Sequence, residues 1–358
     1  MQHKYKVQIK LVLFELFVMK KKSGVYMNFS KTVFAFTILF VLSGFGPTDP
    51  SKKEKSPDKE RIRISKIKTQ TISTYDYEFG CPKKTGIVTE KNKFDKNGNL
   101  TESVSFDKDG KMFEIVTYEY NSKNLLGAIT YYKADGSADI IDTLEYNLKG
   151  DKVKETQYSG EGVVQNVEIS RYSENGDLEE SVYYSADGKV LWKSVFSYDK
   201  LERITAKTNL EIGGIIAERE IIKKDEMGNT IEYSKIGNDN SIIGKTVSRY
   251  NLEGKKTEEV NFNPNGTIGT KDEFVYDESK NMVEYIHHDN GLQQPIKSVA
   301  QFNKRGQLVN KGQFNSTGMI SNKQTFEYDK NGNIIKWIKF DILNEPFELT
   351  EYTYEYYR

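Results

Sequence analysis

Few side chains of this chain are suited to catalysis or to metal binding. The adjacent His287 and His288 would point to opposite faces of a strand, so they cannot bind one metal ion together. His288 takes the place of an aromatic residue in a repeat and is predicted to pack. Cys81 is the single cysteine, which excludes an intramolecular disulfide and a cysteine-rich zinc site, and its thiol is predicted to be buried or incidental. With no Gly-x-Ser-x-Gly, P-loop or His-Glu-x-x-His motif, the sequence predicts a non-enzyme without catalytic residues, metal or cofactor.

A recurring row of glutamates is the second candidate for chemistry. The row is predicted to share a face with the repeated aromatic residues, where it would form a catalytic or ligand-binding line. Pairing with lysine, or a place at the margin of the sheet, is the favoured interpretation. Its members are Glu102, Glu180, Glu232, Glu258 and Glu284.

Five aromatic residues are the candidate ligand-binding side chains, predicted to project from an otherwise polar face. Tyr233, Tyr285 and Trp337 recur at one repeat position every 52 residues, and Tyr131 and Tyr183 recur at a neighbouring position. Aromatic rings on a polar β surface stack on sugars or anchor a protein partner. A spacing of four strands is roughly 19 Å, which suits repeated weak sites better than one oligosaccharide. The alternative is that these are ordinary exposed aromatics, since tyrosine favours strands.

A 26-residue repeat positions all of these side chains. Each unit begins with an anchor residue, which is Tyr or Phe in ten of eleven cases and is usually followed by Asp or Asn. A second landmark such as Phe106 or Tyr132 follows twelve residues later. Self-similarity at a fixed period predicts a repeat architecture. The anchor positions are Phe94, Tyr120, Tyr146, Tyr172, Tyr198, Lys224, Tyr250, Tyr276, Phe302, Tyr328 and Tyr354.

Turn residues divide each repeat into two strands. In the Asp-Lys-Asp-Gly segment that begins at Asp107, the carboxylate is expected to accept the backbone N–H two residues on. Gly110 is expected to take the positive φ that closes a hairpin through a type I turn and a bulge. The same explanation covers the segment from Asp95 to Asn99, which superficially resembles a calcium loop. An EF-hand needs Gly at its sixth position and Glu at its twelfth, whereas Gly is fourth here and the twelfth residue is Phe106.

The even spacings of 12, 14 and 26 residues predict the side of the sheet on which each residue lies. Side chains alternate along a strand, so anchors and second landmarks are expected to share one aromatic face, opposite a polar face. The predicted fold class is all-β, an antiparallel meander of about 20 strands in two-strand units. Because a sheet with one apolar face must hide that face from water, we expect a curved or spiralling sheet, partly closed on itself. A two-layer sandwich and two superposed sheets are the alternatives.

The repeated unit resembles the YD repeat of the RHS family. Tyr-Asp-x-x-Gly-Asn followed by an apolar residue is clearest from Tyr328 to Ile334, and the resemblance covers Phe94 to Tyr354. It implies strands wound into a spiralling shell. Members of the family include polymorphic toxins that enclose a carboxy-terminal effector, and surface proteins with proposed carbohydrate or adhesion roles. Because the unit is longer and more regular than the usual YD repeat and the chain ends at Arg358, a toxin domain is not expected here.

The amino-terminal region predicts export from the cell. Val33 to Leu42 is an apolar run typical of a signal peptide, with cleavage expected after Gly46. The run is shorter than the roughly 20 residues that a membrane span requires, so the mature chain is expected to have no transmembrane span. Translation is expected to start at Met19 or Met27, which would leave the signal at the amino terminus.

These features divide the chain into four segments. Residues 1–46 hold the upstream segment and the signal peptide, and 47–68 form a charged linker expected to be solvated. Residues 69–93 are predicted to be a cap that covers the outer edge of the array. Residues 94–358 form the YD-like repeat domain of ten repeats.

Charge and composition favour a binding or structural role. Lys+Arg and Asp+Glu both number 52, so the chain has no basic field to attract nucleic acid. We expect a secreted, periplasmic or cell-surface module that is not catalytic and binds a carbohydrate or a cell-surface protein. A fragment of an RHS-type toxin shell and an uncharacterised carbohydrate-active enzyme are the two alternatives.

Overall fold

The fold is built from a short helix and a long series of strands. The computed structural model describes residues 57–198, 204–211, 216–292 and 294–358, so the predicted signal peptide lies outside the described residues. Helix α1 spans Pro57–Ile64, inside the segment that the sequence predicts as a solvated linker. The strands are β1 (Ile67–Glu78), β2 (Cys81–Pro82), β3 (Ile87–Phe94), β4 (Leu100–Phe106), β5 (Met112–Tyr120), β6 (Leu126–Tyr132), β7 (Ala138–Tyr146), β8 (Lys152–Ser159), β9 (Val164–Tyr172), β10 (Leu178–Ser185), β11 (Val190–Tyr198), β12 (Ile204–Glu211), β13 (Ile216–Lys224), β14 (Thr230–Gly237), β15 (Ile242–Tyr250), β16 (Lys256–Phe262), β17 (Ile268–Tyr276), β18 (Met282–Asp289), β19 (Ile296–Phe302), β20 (Leu308–Phe314), β21 (Ile320–Tyr328), β22 (Ile334–Phe340) and β23 (Pro346–Tyr356).

The turns between strands follow the predicted chemistry. The Asp107 carboxylate accepts the backbone N–H of Asp109 at 2.9 Å, and Gly110 has a φ of 72°. At the other end of the repeat, Asp329 accepts the backbone N–H of Asn333 at 2.8 Å. These bonds satisfy turn donors locally and reverse the chain after each strand, so consecutive strands pair antiparallel. The predicted turn chemistry is confirmed.

The sheet closes on itself through its first strand. Strands β3 to β23 form the predicted antiparallel meander, and β1 pairs with β3 on one side and with β23 on the other. All strands except the two-residue β2 therefore join one closed barrel of 22 strands. The repeat meander is confirmed, whereas the spiralling sheet is wrong, because β1 pairs with both terminal strands of the array and leaves neither as a free edge. The predicted cap segment, 69–93, thus contains most of the closing strand.

The seam between β1 and β23 is longer than the pairings within the array. It runs over nine registered pairs, from Ile67 opposite Tyr356 to Asp76 opposite Glu348. Within the array, β7 and β8 make seven such pairs. The seam is therefore a full ladder, and Ile67 at its start is only 1% exposed.

Bulges at the hairpins decide which side chains share a face. Tyr120 pairs with Leu126, whereas its neighbour Glu119 pairs with Ala128, so one residue of β6 is extra. A shift of the same kind follows at the next turn, beside Tyr132. Each extra residue moves the alternation of side chains by one position. The anchors share one face, here called the anchor face, but second landmarks such as Tyr132 lie on the opposite face, and the prediction of a single aromatic face is wrong.

Hydrogen bonds from the tyrosine anchors connect successive hairpins. The Tyr276 hydroxyl donates to the backbone carbonyl of Lys256 at 2.8 Å, and the Tyr328 hydroxyl donates to that of Leu308 at 2.8 Å. The same bond, between residues twenty apart, recurs around the barrel. A hydrogen bond of this kind contributes about 1 kcal/mol net, so the anchors add a repeated, modest increment to the ladder. The donors are Tyr120, Tyr146, Tyr172, Tyr198, Tyr250, Tyr276, Tyr328 and Tyr354.

The anchor face is the more buried of the two faces of the sheet. Its mid-strand residues include Asp142 at 3% and Ser194 at 2% exposure, whereas Ile169 and Val275 on the opposite face are 43% and 46% exposed. Side chains converge on the concave side of a closed sheet and diverge on the convex side. We therefore assign the anchor face to the inside of the barrel.

Helix α1 is held against the anchor end of the barrel. The Arg61 guanidinium donates to the Asn333 side-chain oxygen at 2.7 Å, and Asn333 is fully buried. The Lys59 ammonium lies 5.9 Å from the centroid of the Tyr120 ring. Tyr120 ends β5 and Asn333 lies in the turn before β22, so α1 contacts parts of the repeat array that are distant in sequence.

Candidate functional site

All five predicted aromatic residues lie on the anchor face, and the prediction that they project from the opposite, polar face is wrong. Trp337 pairs directly with Phe326, and Tyr285 pairs with Phe274. Phe326 and Phe274 each precede an anchor by two residues and therefore share its face. Tyr183 pairs with Trp192, which lies on the same face of β11. The reason is the bulge at each hairpin, which reverses the expected alternation.

The five residues recur at an even interval around the sheet. Tyr131, Tyr183, Tyr233, Tyr285 and Trp337 lie on β6, β10, β14, β18 and β22, which is every fourth strand. Each is half-buried, so its ring is packed and still reached by solvent. The structure thus brings the predicted residues to one surface and distributes them around it, without gathering them into a single pocket.

Three of these residues pack against a second ring. Tyr183 stacks on Trp192 with centroids 5.8 Å apart and an interplanar angle of 16°. Trp337 stacks on Phe326 at 6.0 Å and 16°. Tyr285 contacts Phe274 at 5.5 Å with a tilt of 43°. Pairs of this kind hold each ring in a fixed orientation on the inner surface, and each contact stabilises the fold by about 0.5–1.5 kcal/mol.

Hydrogen-bonding groups lie beside the rings. The Trp337 indole N–H donates to the Gln324 side-chain oxygen at 3.1 Å. Burial, with Glu220 as an additional cause, raises the pKa of Tyr233 to about 12, so its hydroxyl stays protonated at neutral pH. Elsewhere on the anchor face, the Gln157 amide donates to Asp142 at 3.0 Å, and burial raises the pKa of that carboxyl. The inner surface is therefore a mixture of flat rings and oriented polar groups.

A cluster that the sequence interpretation missed lies on β17 and β18. The Tyr285 hydroxyl donates to Asp272 at 2.6 Å, and His287 Nδ1 lies 2.7 Å from the same carboxylate oxygen. Asp272 is 8% exposed. The prediction that His287 and His288 lie on opposite faces is confirmed, since His287 pairs with Asp272 and His288 with Lys271. The hairpin between β17 and β18 could have revealed this cluster. Once its bulge is counted, the hairpin brings Asp272 beside the residues 13 and 15 positions later in the sequence.

The glutamate row lies on the opposite face, where each member pairs with a cation. Carboxylate oxygens of these residues form ion pairs with lysine ammonium groups. The distances are 2.6 Å for Glu180 and Lys193, 2.8 Å for Glu284 and Lys297, and 2.8 Å for Glu102 and Lys93. Glu232 and Glu258 each bridge two basic residues. The predicted pairing with lysine is confirmed. The prediction that the row shares a face with the anchors is wrong, again because of the bulges.

Little else in the described residues suggests chemistry. Cys81 is exposed, within the short β2. In the part of the chain that the structure describes, no three His, Cys, Asp or Glu side chains come together as metal ligands. No helix within the described ranges is long and apolar enough to cross a membrane.

Comparisons with known proteins identify similar structures but no family. No family model matches the chain, and no curated protein matches its sequence. Its structure is similar to a crystal structure of TcdB2-TccC3-TEV, with a TM-score of 0.42 and 12% identity, over 78% of this chain and 18% of that chain. The chain thus spans less than a fifth of the length of TcdB2-TccC3-TEV.

Two further similar structures are comparable in length to this chain. A porin-like protein from Bacteroides uniformis has a TM-score of 0.28 and 11% identity, over 81% of this chain and 98% of that chain. A DUF1329 family protein from Desulfovibrio piger has a TM-score of 0.20 and 7% identity, over 82% and 87%.

Proposed function

We propose that this protein is a non-catalytic binding module, secreted or facing the cell envelope, whose anchor face binds carbohydrate. The observation that carries the proposal is the placement of Tyr131, Tyr183, Tyr233, Tyr285 and Trp337 on one inner surface at intervals of four strands. Localisation rests on the apolar run and cleavage site near the amino terminus of the sequence.

Carbohydrate is the ligand class that this surface suits best. Sugar rings present C–H groups to aromatic faces and hydroxyls to polar side chains, and the anchor face supplies both. Trp337 offers an indole ring whose N–H is already directed to Gln324, and Tyr285 offers a ring beside Asp272 and His287. Equal numbers of acidic and basic residues give no long-range attraction for a polyanion. The even spacing favours a polymer that meets several weak sites at once.

The two tryptophans of the chain provide a direct test. Trp192 and Trp337 both lie on the anchor face, so a ligand bound there will change the intrinsic fluorescence. We expect soluble envelope polysaccharides to change the emission saturably, with a Kd that calorimetry reproduces. The Trp337→Ala variant is expected to bind at least about tenfold more weakly, the loss of about 1.4 kcal/mol typical of a stacking contact.

A variant on the opposite face supplies the control. Phe340 lies on the outer face of β22, where the Lys323 ammonium is 4.5 Å from its ring centroid. Phe340→Leu should leave the affinity unchanged. Saturable binding that survives Trp337→Ala, or a wild-type protein that binds no envelope glycan, would contradict the proposal.

The repeats themselves are proposed to be of the YD type of the RHS family. The support is the Tyr-Asp-x-x-Gly-Asn pattern together with the role that each part plays. The anchor hydroxyl bonds the previous hairpin, the Asp side chain bonds the turn, and Gly takes a positive φ, as at Gly332 with 85°. A shell role around an enclosed effector is the second candidate function, favoured by closure of the sheet around an inner face. Co-purification of a second polypeptide inside the barrel, protected from protease, would establish it.

A further inference from the structure

One cluster on the anchor face combines a buried carboxylate, a phenol and an imidazole. Asp272 lies on β17 directly opposite His287 on β18, and Tyr285 lies two residues before His287 on the same face. Both Tyr285 and His287 reach the same Asp272 oxygen, at 2.6 and 2.7 Å. The three side chains are thus fixed relative to one another by two short hydrogen bonds and by β-sheet register.

The hydrogen bonds show which ring nitrogen of His287 is already engaged. Tyr285 donates its O–H to Asp272, and burial, followed by the hydrogen bond to Asp272, raises the pKa of this phenol well above its usual range. In the Nδ1–H tautomer of His287 the carboxylate accepts this hydrogen bond, and Nε2 is a hydrogen-bond acceptor. Among the described residues, Nε2 of His287 makes no hydrogen bond.

The neighbouring strands continue this polar line. Glu259 on β16 pairs with Asp272, and Ser298 on β19 pairs with Tyr285. The Glu259 carboxylate is already occupied, because it accepts hydrogen bonds from Lys256 and from the Ser248 hydroxyl. The four strands β16 to β19 span roughly 14 Å, the reach of a short oligosaccharide.

Flat apolar surface lies beside the imidazole. The Tyr285 and His287 rings stack with centroids 6.4 Å apart and an interplanar angle of 25°, and Phe274 also contacts the Tyr285 ring. His287 retains 26% side-chain exposure, so its ring edge is reached by solvent. An acceptor nitrogen at the edge of a stacked aromatic wall matches a sugar that presents a C–H face and an adjacent hydroxyl.

We propose that His287, held by Asp272, is the specificity-determining contact for the glycan, and that its Nε2 accepts a hydrogen bond from a sugar hydroxyl. This inference rests on the proposed function and assigns a ligand-contacting atom within it. Tyr285 and Phe274 form the stacking wall, while Asp272 is a positioning residue that sets the tautomer of His287. Removal of a hydrogen bond to a sugar hydroxyl is expected to weaken binding by about ten- to hundredfold.

The adjacent histidine makes a matched control possible. His287→Phe keeps a planar ring and removes the acceptor, whereas His288→Phe makes the same chemical change on the opposite face, at a position where other repeats carry aromatic residues such as Phe262. With a polysaccharide that binds the wild type, calorimetry should show at least about tenfold weaker binding for His287→Phe and no change for His288→Phe. Circular dichroism and thermal unfolding establish that both variants are folded.

A second measurement keeps the proposal testable if His287→Phe does not fold. Acylation of imidazole by diethyl pyrocarbonate, followed by peptide mass spectrometry, reports each histidine of the wild-type protein separately. Bound glycan should protect His287 and leave the extent of reaction at His288 unchanged. Equal protection of both, or a folded His287→Phe with wild-type affinity, would overturn this inference while the binding function stands. A wild type that binds no glycan would overturn both.

Discussion

In the repeat array, each anchor hydroxyl bonds a carbonyl twenty residues earlier, whereas α1 and β1 contact residues far along the chain. Tyr276 bonds Lys256 within adjacent hairpins, but Arg61 bonds Asn333 across 272 positions. The array can therefore form hairpin by hairpin from local contacts, while closure requires the two ends of the described chain to meet. The difference indicates that regularity supplies the wall of the barrel and that an irregular segment closes it.

Removal of the closing segment should have the largest effect. Deletion of residues 57–78 would leave β3 and β23 as unpaired edges, which are templates for pairing with other chains. We expect larger species in sedimentation velocity. We also expect amide protection in β3 and β23 to fall by about 100-fold, equivalent to about 2.7 kcal/mol. Addition of a peptide of residues 67–78 should restore both properties, and unchanged protection at these edges would show that β1 does not hold the barrel closed.

A matched pair of asparagines measures the contribution of α1. Asn333 and Asn281 occupy the same repeat position, and each donates its side-chain amide to the Asp that begins its turn, Asp329 at 2.9 Å and Asp277 at 3.0 Å. Asn333 alone also accepts Arg61, at 2.7 Å, and is fully buried. We expect Asn281→Ala to lower the free energy of unfolding by about 1 kcal/mol and Asn333→Ala by about 2–3 kcal/mol. Equal losses in urea titrations would indicate that α1 does not contribute through this residue.

The smallest effect concerns a turn within the array that departs from its own repeat. Lys280 has a φ of 67° at a position where most repeats carry Gly, such as Gly306 with 73°. A side chain in this region is strained, so Lys280→Gly should raise the free energy of unfolding by about 0.5–1 kcal/mol. Loss of the exposed ion pair between Lys280 and Glu253, at 3.2 Å, offsets little of this. The reciprocal Gly306→Lys should destabilise by a similar amount. A lower melting temperature for Lys280→Gly, or a higher one for Gly306→Lys, would refute the strain argument.

Much of the wall could be predicted from the sequence because its causes are local. The Asp107 carboxylate bonds the N–H of Asp109 two residues on, and Gly110 is free to adopt positive φ. Such turn chemistry sets strand lengths and connections. The anchors keep one face because bulges occur at both hairpins of most repeats and their shifts cancel. Tyr120 and Tyr146 accordingly make the same bond to the hairpin before them.

The sequence singled out the five aromatic residues of the candidate site but not the side chains that surround them. Tyr285 and Trp337 were recognised from their period, yet a single bulge per hairpin moved them to the inner surface. The same shift paired Asp272 with His287 and Tyr285, and it carried Glu180 to the outside against Lys193. One uncounted residue in a strand reverses every side chain that follows it, so an error in register becomes an error in face.

The 26-residue pattern specifies strands, turns and the side of each anchor, because alternation and turn propensity act over a few residues. Closure is different in kind. No repeat signal marks Ile67–Glu78 as the strand that fills the gap between β3 and β23, since its partners are set by the curvature accumulated over the whole meander. Closure in turn creates an inside, and with it the burial of Asp272 and the surface on which the proposed ligand would bind.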